Sequence, residues 1–310
     1  MLIDNDKNQC FVVDVDDNNI RIDKYLSDEM QDVSRSRIQK LIESNLITVN
    51  DKSIKSNYKV VAGDVINVTL PELEVPSIEP EDIPLDIVYE DNDIIVVNKP
   101  KGMVVHPAAG HYTGTLVNAL MYHCRDNLSG INGVLRPGIV HRIDMNTTGV
   151  LVACKNDYAH NFIAEQLSVH SITRKYYAIV LNGFNAKEGV VDAPIGRNPS
   201  DRKKMAVDKK NGKRAVTHYK VLEQFGKYSY IECQLETGRT HQIRVHMASI
   251  GHPLLGDDVY GSGRSPFNLT GQTLHAGVLG FIHPSTKEYV EYSAELPDYF
   301  QKVLGKLRNS

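Results

Sequence analysis

The chain lacks most of the patterns that would announce a metal, a cofactor or a membrane. Its four cysteines, Cys10, Cys124, Cys154 and Cys233, form no Cys-x-x-Cys pair, so neither a zinc ribbon nor a dithiol motif is indicated. Scattered single thiols fit a reducing compartment. No apolar run approaches the length of a bilayer span. The first residues, Met1-Leu2-Ile3-Asp4-Asn5-Asp6, do not pair a basic stretch with an apolar one, so no secretion signal is read and a cytoplasmic location is expected. Rossmann and P-loop fingerprints, internal repeats and low-complexity tracts are also missing. Net charge is −3, which gives no overall attraction for polyanions, so any nucleic-acid partner must be met by local patches.

The 310 residues suffice for two domains. In residues 11–70, Ile22, Leu26 and Met30 fall on one helical face. Ser34 suits the N-cap of a second helix carrying Ile38, Leu41 and Ile42, which Asn45 closes. Asn50-Asp51-Lys52 marks a hairpin, and Asp64 to Leu70 alternates as a strand. Residues 71–84 hold four prolines and five acidic residues and read as a linker. Residues 85–310 mix strands and helices without a βαβ rhythm. Hairpins at 87–97, strands at 150–153, 176–181, 215–222 and 228–235, and helices at 158–167 and around Ile243 and Met247 predict an α+β fold with a mixed, mainly antiparallel sheet.

Five stretches carry candidate chemistry. Between Ser34 and Val60, six basic residues, among them Arg35, Arg37 and Lys40, face two acidic ones, a local balance of +4. A helix start beside arginines suits phosphate oxygens, although a solvated helix face has the same composition. Asn98-Lys99-Pro100-Lys101-Gly102, running on to His106-Pro107, is a stiff loop that could present Lys99 and His106 to phosphates or be an ordinary turn. In His141-Arg142-Ile143-Asp144-Met145-Asn146-Thr147-Thr148-Gly149, Asp144 is a nucleophile if a cleft and an arginine keep it ionised, and a turn cap otherwise. Leu235 to His246 contains Arg239, Thr240 as a helix-cap candidate, and Arg244; His241, His246 and the following His252 lack metal-ligand spacing, and no metal is expected. From Gly196 to Lys220, nine basic residues, including Lys203, Lys204 and Arg214, face two aspartates, and this +7 stretch is best explained as a surface for RNA phosphates.

Ser34 to Ile42 followed by Ile47-Thr48-Val49-Asn50 resembles the S4 RNA-binding module. The box around Asp144 is similar to the His-Arg-Leu-Asp-x-x-Thr-Ser-Gly signature of the RluA-type pseudouridine synthases, with Ile143 and Thr148 as conservative departures. The Lys99 loop, Arg174-Lys175-Tyr176, Thr237-Gly238-Arg239-Thr240-His241-Gln242-Ile243-Arg244, and Leu274-His275-Ala276 with His283-Pro284 follow in that family's order. The resemblance implies an isomerase that converts uridine to pseudouridine in structured RNA, without cofactor or metal. It points to large-subunit (23S) ribosomal RNA and implies a monomer. It assigns Asp144 to catalysis, Arg239 to an ion pair with it, Tyr176 to stacking on the base, and Arg142 and Arg244 to the basic lining of the cleft. Two other readings stay open: a non-catalytic RNA clamp, and a nucleosidase, which would need a second carboxylate as general acid.

Overall fold

The computed structural model describes residues 8–30, 33–70, 78–107, 111–125, 127–133, 136–201, 204–261 and 267–310. The chain divides into two compact units, Met1–Val75 and Pro76–Ser310.

The first unit contains strand β1 (Asn8–Val12), helices α1 (Ile22–Glu29) and α2 (Arg35–Glu43), and strands β2 (Ile47–Val49), β3 (Lys52–Ser53) and β4 (Val65–Thr69). The strands form one antiparallel sheet in the order β1-β4-β2-β3. Ile22 and Leu26 of α1 and Ile38, Leu41 and Ile42 of α2 pack on Ile47, Val49, Ile66 and Val68, as their spacing requires. The turn between β2 and β3 is Asn50-Asp51, with φ of 49° and 60°, the left-handed pair that matches strand twist in a two-residue hairpin. Asn45, at φ 56°, ends α2 as expected. Ser34 precedes α2, but its side chain does not cap it; its Oγ lies 3.2 Å from Ser36 Oγ.

The second unit contains β5 (Ile87–Glu90), β6 (Ile94–Lys99), α3 (Leu116–Cys124), β7 (Thr148–Cys154), α4 (Asp157–Ser168), β8 (Thr173–Leu181), β9 (Glu188–Asp192), β10 (Ile195–Arg197), β11 (Met205–Val207), β12 (Val216–Phe225), β13 (Tyr228–Leu235), α5 (Gln242–Ser249), β14 (Leu274–Ile282), β15 (Tyr289–Ser293) and α6 (Asp298–Arg308). Nine strands make one sheet in the order β5-β6-β7-β14-β8-β13-β12-β9, with β15 also on β14. All its pairs are antiparallel except β7 with β14. At that junction Gly149, at φ 111°, faces Ala276, and a Cβ there would lie 2.1 Å from the Ala276 carbonyl oxygen. The glycine after Thr147-Thr148 is therefore fixed by the crossing of two strands.

Alternate residues of the central strands enter different cores. Ile95, Val97, Leu151, Ala153, Tyr176 and Ala178 join Leu116, Leu120, Ile243 and Met247 of α3 and α5. Val96, Val150 and Val152 join Ala159 and Ile163 of α4, and Ile179 joins Phe300, Val303 and Leu304 of α6. Helices on both faces explain why β7 is buried along its whole length and reads as a continuous apolar run. Residues 71–77 of the expected linker lie outside the described residues. Ile78 is buried in the main core of the second unit, and Asn118 of α3 donates to the Glu79 carbonyl at 2.7 Å, so 78–84 runs along that unit.

Candidate active site

A cleft of about 810 Å³ opens on the face of the sheet that carries α5. It is lined by the loop 139–147, by Val105 and His106, by Arg174 and Tyr176 of β8, and by Gly238 to Arg244 around the start of α5. Its size suits a nucleotide-sized ligand.

Asp144 stands in this cleft with its side chain 25% exposed. Its Oδ2 accepts from Arg244 Nη1 at 2.9 Å. The same guanidinium donates through Nε and Nη2 to both oxygens of Asp257, at 2.7 and 3.0 Å. The Asp257 side chain is fully buried and also accepts from the Val259 and Tyr260 N–H groups. Burial alone would lower the Arg244 pKa, but the hydrogen bonds and charges of Asp257 and Asp144 prevail and raise it. Burial likewise works against the Asp257 carboxylate, and Arg244 with the backbone donors outweighs it. The guanidinium is thus a fixed cation, locked from behind by Asp257 so that one edge presents to Asp144.

The expected partner of Asp144 is corrected accordingly. Arg239 Nε donates to the Arg214 carbonyl at 3.0 Å, and Arg239 reaches the cleft wall without pairing with Asp144. The reason is local. Arg244 is the third residue of α5 and points into the core side, whereas Arg239 precedes the helix in a loop whose N–H bonds the Gln242 side chain. Thr240 does not cap α5; the N-cap position is His241 in the left-handed conformation, at φ 57°.

Among the described residues, the other oxygen of Asp144, Oδ1, has His241 Nε2 nearest, at 3.8 Å, too far for a hydrogen bond. The Tyr260 hydroxyl accepts from Met205 N–H at 2.8 Å and lies 2.8 Å from His241 Nδ1, an arrangement that places the imidazole proton on Nε2, toward Asp144. Burial pushes the His241 pKa down against the pull of Asp144, which keeps the ring neutral. Tyr176 is 8% exposed at the cleft floor, and burial raises its pKa, so it presents a neutral aromatic ring. Tyr177 faces the opposite side of the sheet, against Tyr230 with ring centroids 6.0 Å apart.

The residues expected to contact phosphates fall into distinct groups. Lys99 is 1% exposed, and its Nζ donates to the carbonyls of Pro100, Met103 and Met145 at 2.8, 2.8 and 3.0 Å. It therefore ties its loop to the residue after Asp144 and is not a surface contact. Burial pulls its pKa to about 7, opposed by the Asp144 charge. Three carbonyls need three protons, which also favours the ammonium form. His106 is 8% exposed and accepts from Arg142 Nη1 at 3.3 Å; burial and the charges of Arg136 and Arg142 take it to about 4. Arg142 itself is exposed on the cleft wall. Arg214 pairs with Glu236 at 2.7 Å at the surface, and Lys204 lies 3.9 Å from Asp201. The stretch 208–213 is a turn in which Asp208 accepts from the Lys210 and Asn211 N–H groups. Lys203 lies outside the described residues. In the first unit, Arg37 and Lys40 are exposed, whereas Arg35 pairs with the buried Asp23 at 2.9 Å.

Asp257, His241 and Tyr260 were not singled out from the sequence. The available signal was Gly256-Asp257 after the α5 stripe, which says nothing of a contact with Arg244. Among the described residues, the one group able to offer three metal ligands is Asp91, Asp93 and His283, away from the cleft. There His283 Nδ1 accepts from the Ser285 and Thr286 N–H groups and Asp91 from Asp93 and Ile94, so the group reads as a pin between two turns.

An anionic side chain held by one oxygen over an aromatic floor, between basic walls, fits chemistry on a sugar and its base. The RNA pseudouridylate synthase family profile matches residues 93–249, which include Asp144, Tyr176 and Arg244, and the S4 domain profile matches residues 20–66. The chain belongs to the RNA pseudouridylate synthase family. It is an isomerase of that family joined to an S4 domain. It is 53% identical to an uncharacterized RNA pseudouridine synthase of Bacillus subtilis (strain 168), covering 94% of this chain and 95% of the relative. It is 49% identical to ribosomal large subunit pseudouridine synthase D of Zymomonas mobilis, covering 93% of each. Among solved structures, human RNA Pseudouridylate Synthase Domain Containing 1 superposes with a TM-score of 0.56 at 26% identity, over 74% of this chain and 97% of that one.

Proposed function

We propose that this pseudouridine synthase modifies uridines of large-subunit ribosomal RNA, with Asp144 acting on the ribose and Tyr176 stacking on the base. The observation that carries the assignment of Asp144 is its asymmetry: Oδ2 is held by Arg244, and Oδ1 receives no hydrogen bond from the described residues. A carboxylate so held is aimed into the cleft, as a nucleophile at C1′ or a base at C2′ requires. The substrate reading rests on relatives at 49% and 46% identity named ribosomal large subunit pseudouridine synthase D, from Zymomonas and Neisseria.

The target uridine must leave its stack to reach the cleft, at a cost of a few kcal/mol. Arg142 and Arg239 on the walls, Arg214 and Lys204 on the basic stretch, and Arg37 and Lys40 of the S4 domain supply charge to offset that cost through backbone phosphates. Lys99 fixes the Asp144 turn from beneath through the Met145 carbonyl. The N1–C1′ bond breaks, the uracil turns, C5 bonds to C1′, the C5 proton passes to water and N1 gains one. No electrons are exchanged with a third species.

The deciding experiment is tritium release from C5-labelled ribosomal RNA by the Asp144→Asn enzyme. Release is expected to vanish while RNA binding persists; retained turnover refutes the role of Asp144. Pseudouridine mapping in cells lacking the protein tests the substrate, since an unchanged large-subunit RNA would exclude it.

A further inference from the structure

We propose that Arg174 is a further catalytic residue, whose guanidinium stabilises the uracil anion released when the N1–C1′ bond breaks. The inference rests on the assignment of Asp144 and Tyr176 above.

Arg174 and Tyr176 are two residues apart on β8, hence on the same face, and both line the cleft. Arg174 is 7% exposed, yet among the described residues it has no carboxylate partner. Its Nη2 donates to the Glu236 carbonyl at 2.9 Å, and its buried Nε has no partner. Arg244, on the lining of the same cleft, shows what a paired guanidinium looks like here: two carboxylates occupy it. A buried cation without an anion is costly to keep, so its presence points to charge that arrives with the ligand or develops in the reaction.

Three observations locate that charge at the base. Gly238 faces the guanidinium, and a Cβ there would lie 2.6 Å from Nη1, so any side chain would cover it. The Arg174 and Asp144 charges both act on the Tyr176 hydroxyl, and all three residues line the cleft. Burial and the Arg174 charge also hold His141, on the same lining, neutral.

The chemistry then balances. Heterolysis leaves the N1–C1′ electron pair on the uracil, spread over N1, O2 and O4, while Asp144 bonds to C1′ or takes the C2′ proton. A preorganised, largely buried cation stabilises that transient charge and not the neutral uridine, which is the condition for accelerating the step. C5 then bonds to C1′, displacing the Asp144 oxygen from C1′ or, in the alternative, with Asp144 returning its proton to C2′, and this bond discharges the anion; loss of the C5 proton to water and protonation of N1 complete the isomer.

The test compares Arg174→Met and Arg174→Lys with the unaltered enzyme in single turnover. The substrate is large-subunit ribosomal RNA transcribed with uridine or with 5-fluorouridine, and the readout is consumption of the target nucleoside, as rearranged product or enzyme adduct. Fluorine makes uracil a better leaving group, so an enzyme deprived of its anion stabiliser should suffer less on that RNA. Arg174→Met is expected to slow the uridine reaction by roughly 100–1000-fold, with RNA affinity changed by less than about threefold. The deficit should shrink by at least about tenfold with 5-fluorouridine, and Arg174→Lys should fall between. An equal deficit on both RNAs, or one confined to affinity, overturns the proposal. If Arg174→Met does not fold, Arg174→Lys decides by the same comparison. Failure here with an inactive Asp144→Asn enzyme sinks only Arg174, whereas an active Asp144→Asn enzyme sinks the underlying assignment.

Discussion

Each of the two units sets arginine against an aspartate, and the two sites differ in what they leave unbonded. In the S4 unit, Asp23 is fully buried and receives Arg21 through Nε and Nη2, Arg35 through Nη2, and Gln39 through Nε2, at 2.7–3.1 Å. Both of its oxygens are filled, and the network ties α1 to α2. In the catalytic unit, Arg244 fills one oxygen of Asp144, and the second is left facing the cleft. Residue types are the same in both places, so they do not tell structure from chemistry. The spare lone pairs do. Arg35, expected to meet RNA, also gives one N–H to Asp23, whereas Arg37 and Lys40 lie exposed on α2.

The contrast is open to direct attack. Asp144→Asn should reduce pseudouridine formation by roughly 10⁴-fold or more, with a melting temperature near that of the unaltered protein; a large loss of stability would mean that Asp144, like Asp23, is structural. Arg244→Met should abolish turnover and also cost about 3–5 kcal/mol in denaturant unfolding, because Asp257 is left buried and unpaired. Adding Asp257→Asn to that variant should restore much of the stability and none of the activity.

Asp23→Asn should cost about 2–3 kcal/mol, read as faster hydrogen exchange in α1 and α2, with turnover on bound RNA unchanged. Its pH dependence has a definite sign. Burial would raise the Asp23 pKa, but hydrogen bonds from Arg21, Arg35 and Gln39 and the Arg35 charge hold it well below the usual carboxylate range. That stability is present above the unfolded value of about 4 and lost as pH falls through it toward the folded value. Exchange in α1 and α2 should therefore accelerate below about pH 4 in the unaltered protein, and Asp23→Asn should lack this acid limb. The smallest effect belongs to Arg239→Ala, where a rise of less than about tenfold in KM for RNA, with kcat unchanged, is expected of a wall residue that does not hold Asp144.

The sequence was informative where periodicity or turn chemistry acts over a few residues. The stripes of α1 and α2, the Asn50-Asp51 turn, the 87–97 hairpin and strand β13 all lie where their patterns put them. Helices α3 and α6 were not foreseen. The first has little contrast between its faces, since Leu116 to Leu120 are all buried, and the second depends on a docking site built by β8 and β13. Strands β10 and β11 are three residues each and sit inside a charged stretch that reads as loop.

By itself the sequence determined the family's order of motifs, an S4 module ahead of an α+β catalytic unit, and the candidacy of Asp144 and Tyr176. These depend on residues close together in the chain. Tertiary structure decided which arginine serves the aspartate. Arg239 and Arg244 are five residues apart in one motif, and Asp144 lies 100 residues from the second. The choice follows from the direction in which each side chain leaves its backbone and from Asp257 locking one guanidinium in place. Tertiary structure likewise took Lys99 out of the expected RNA surface and put it to internal use, because an ammonium whose three protons go to three carbonyls has no donor left for a phosphate, and it turned one edge of Arg35 toward Asp23.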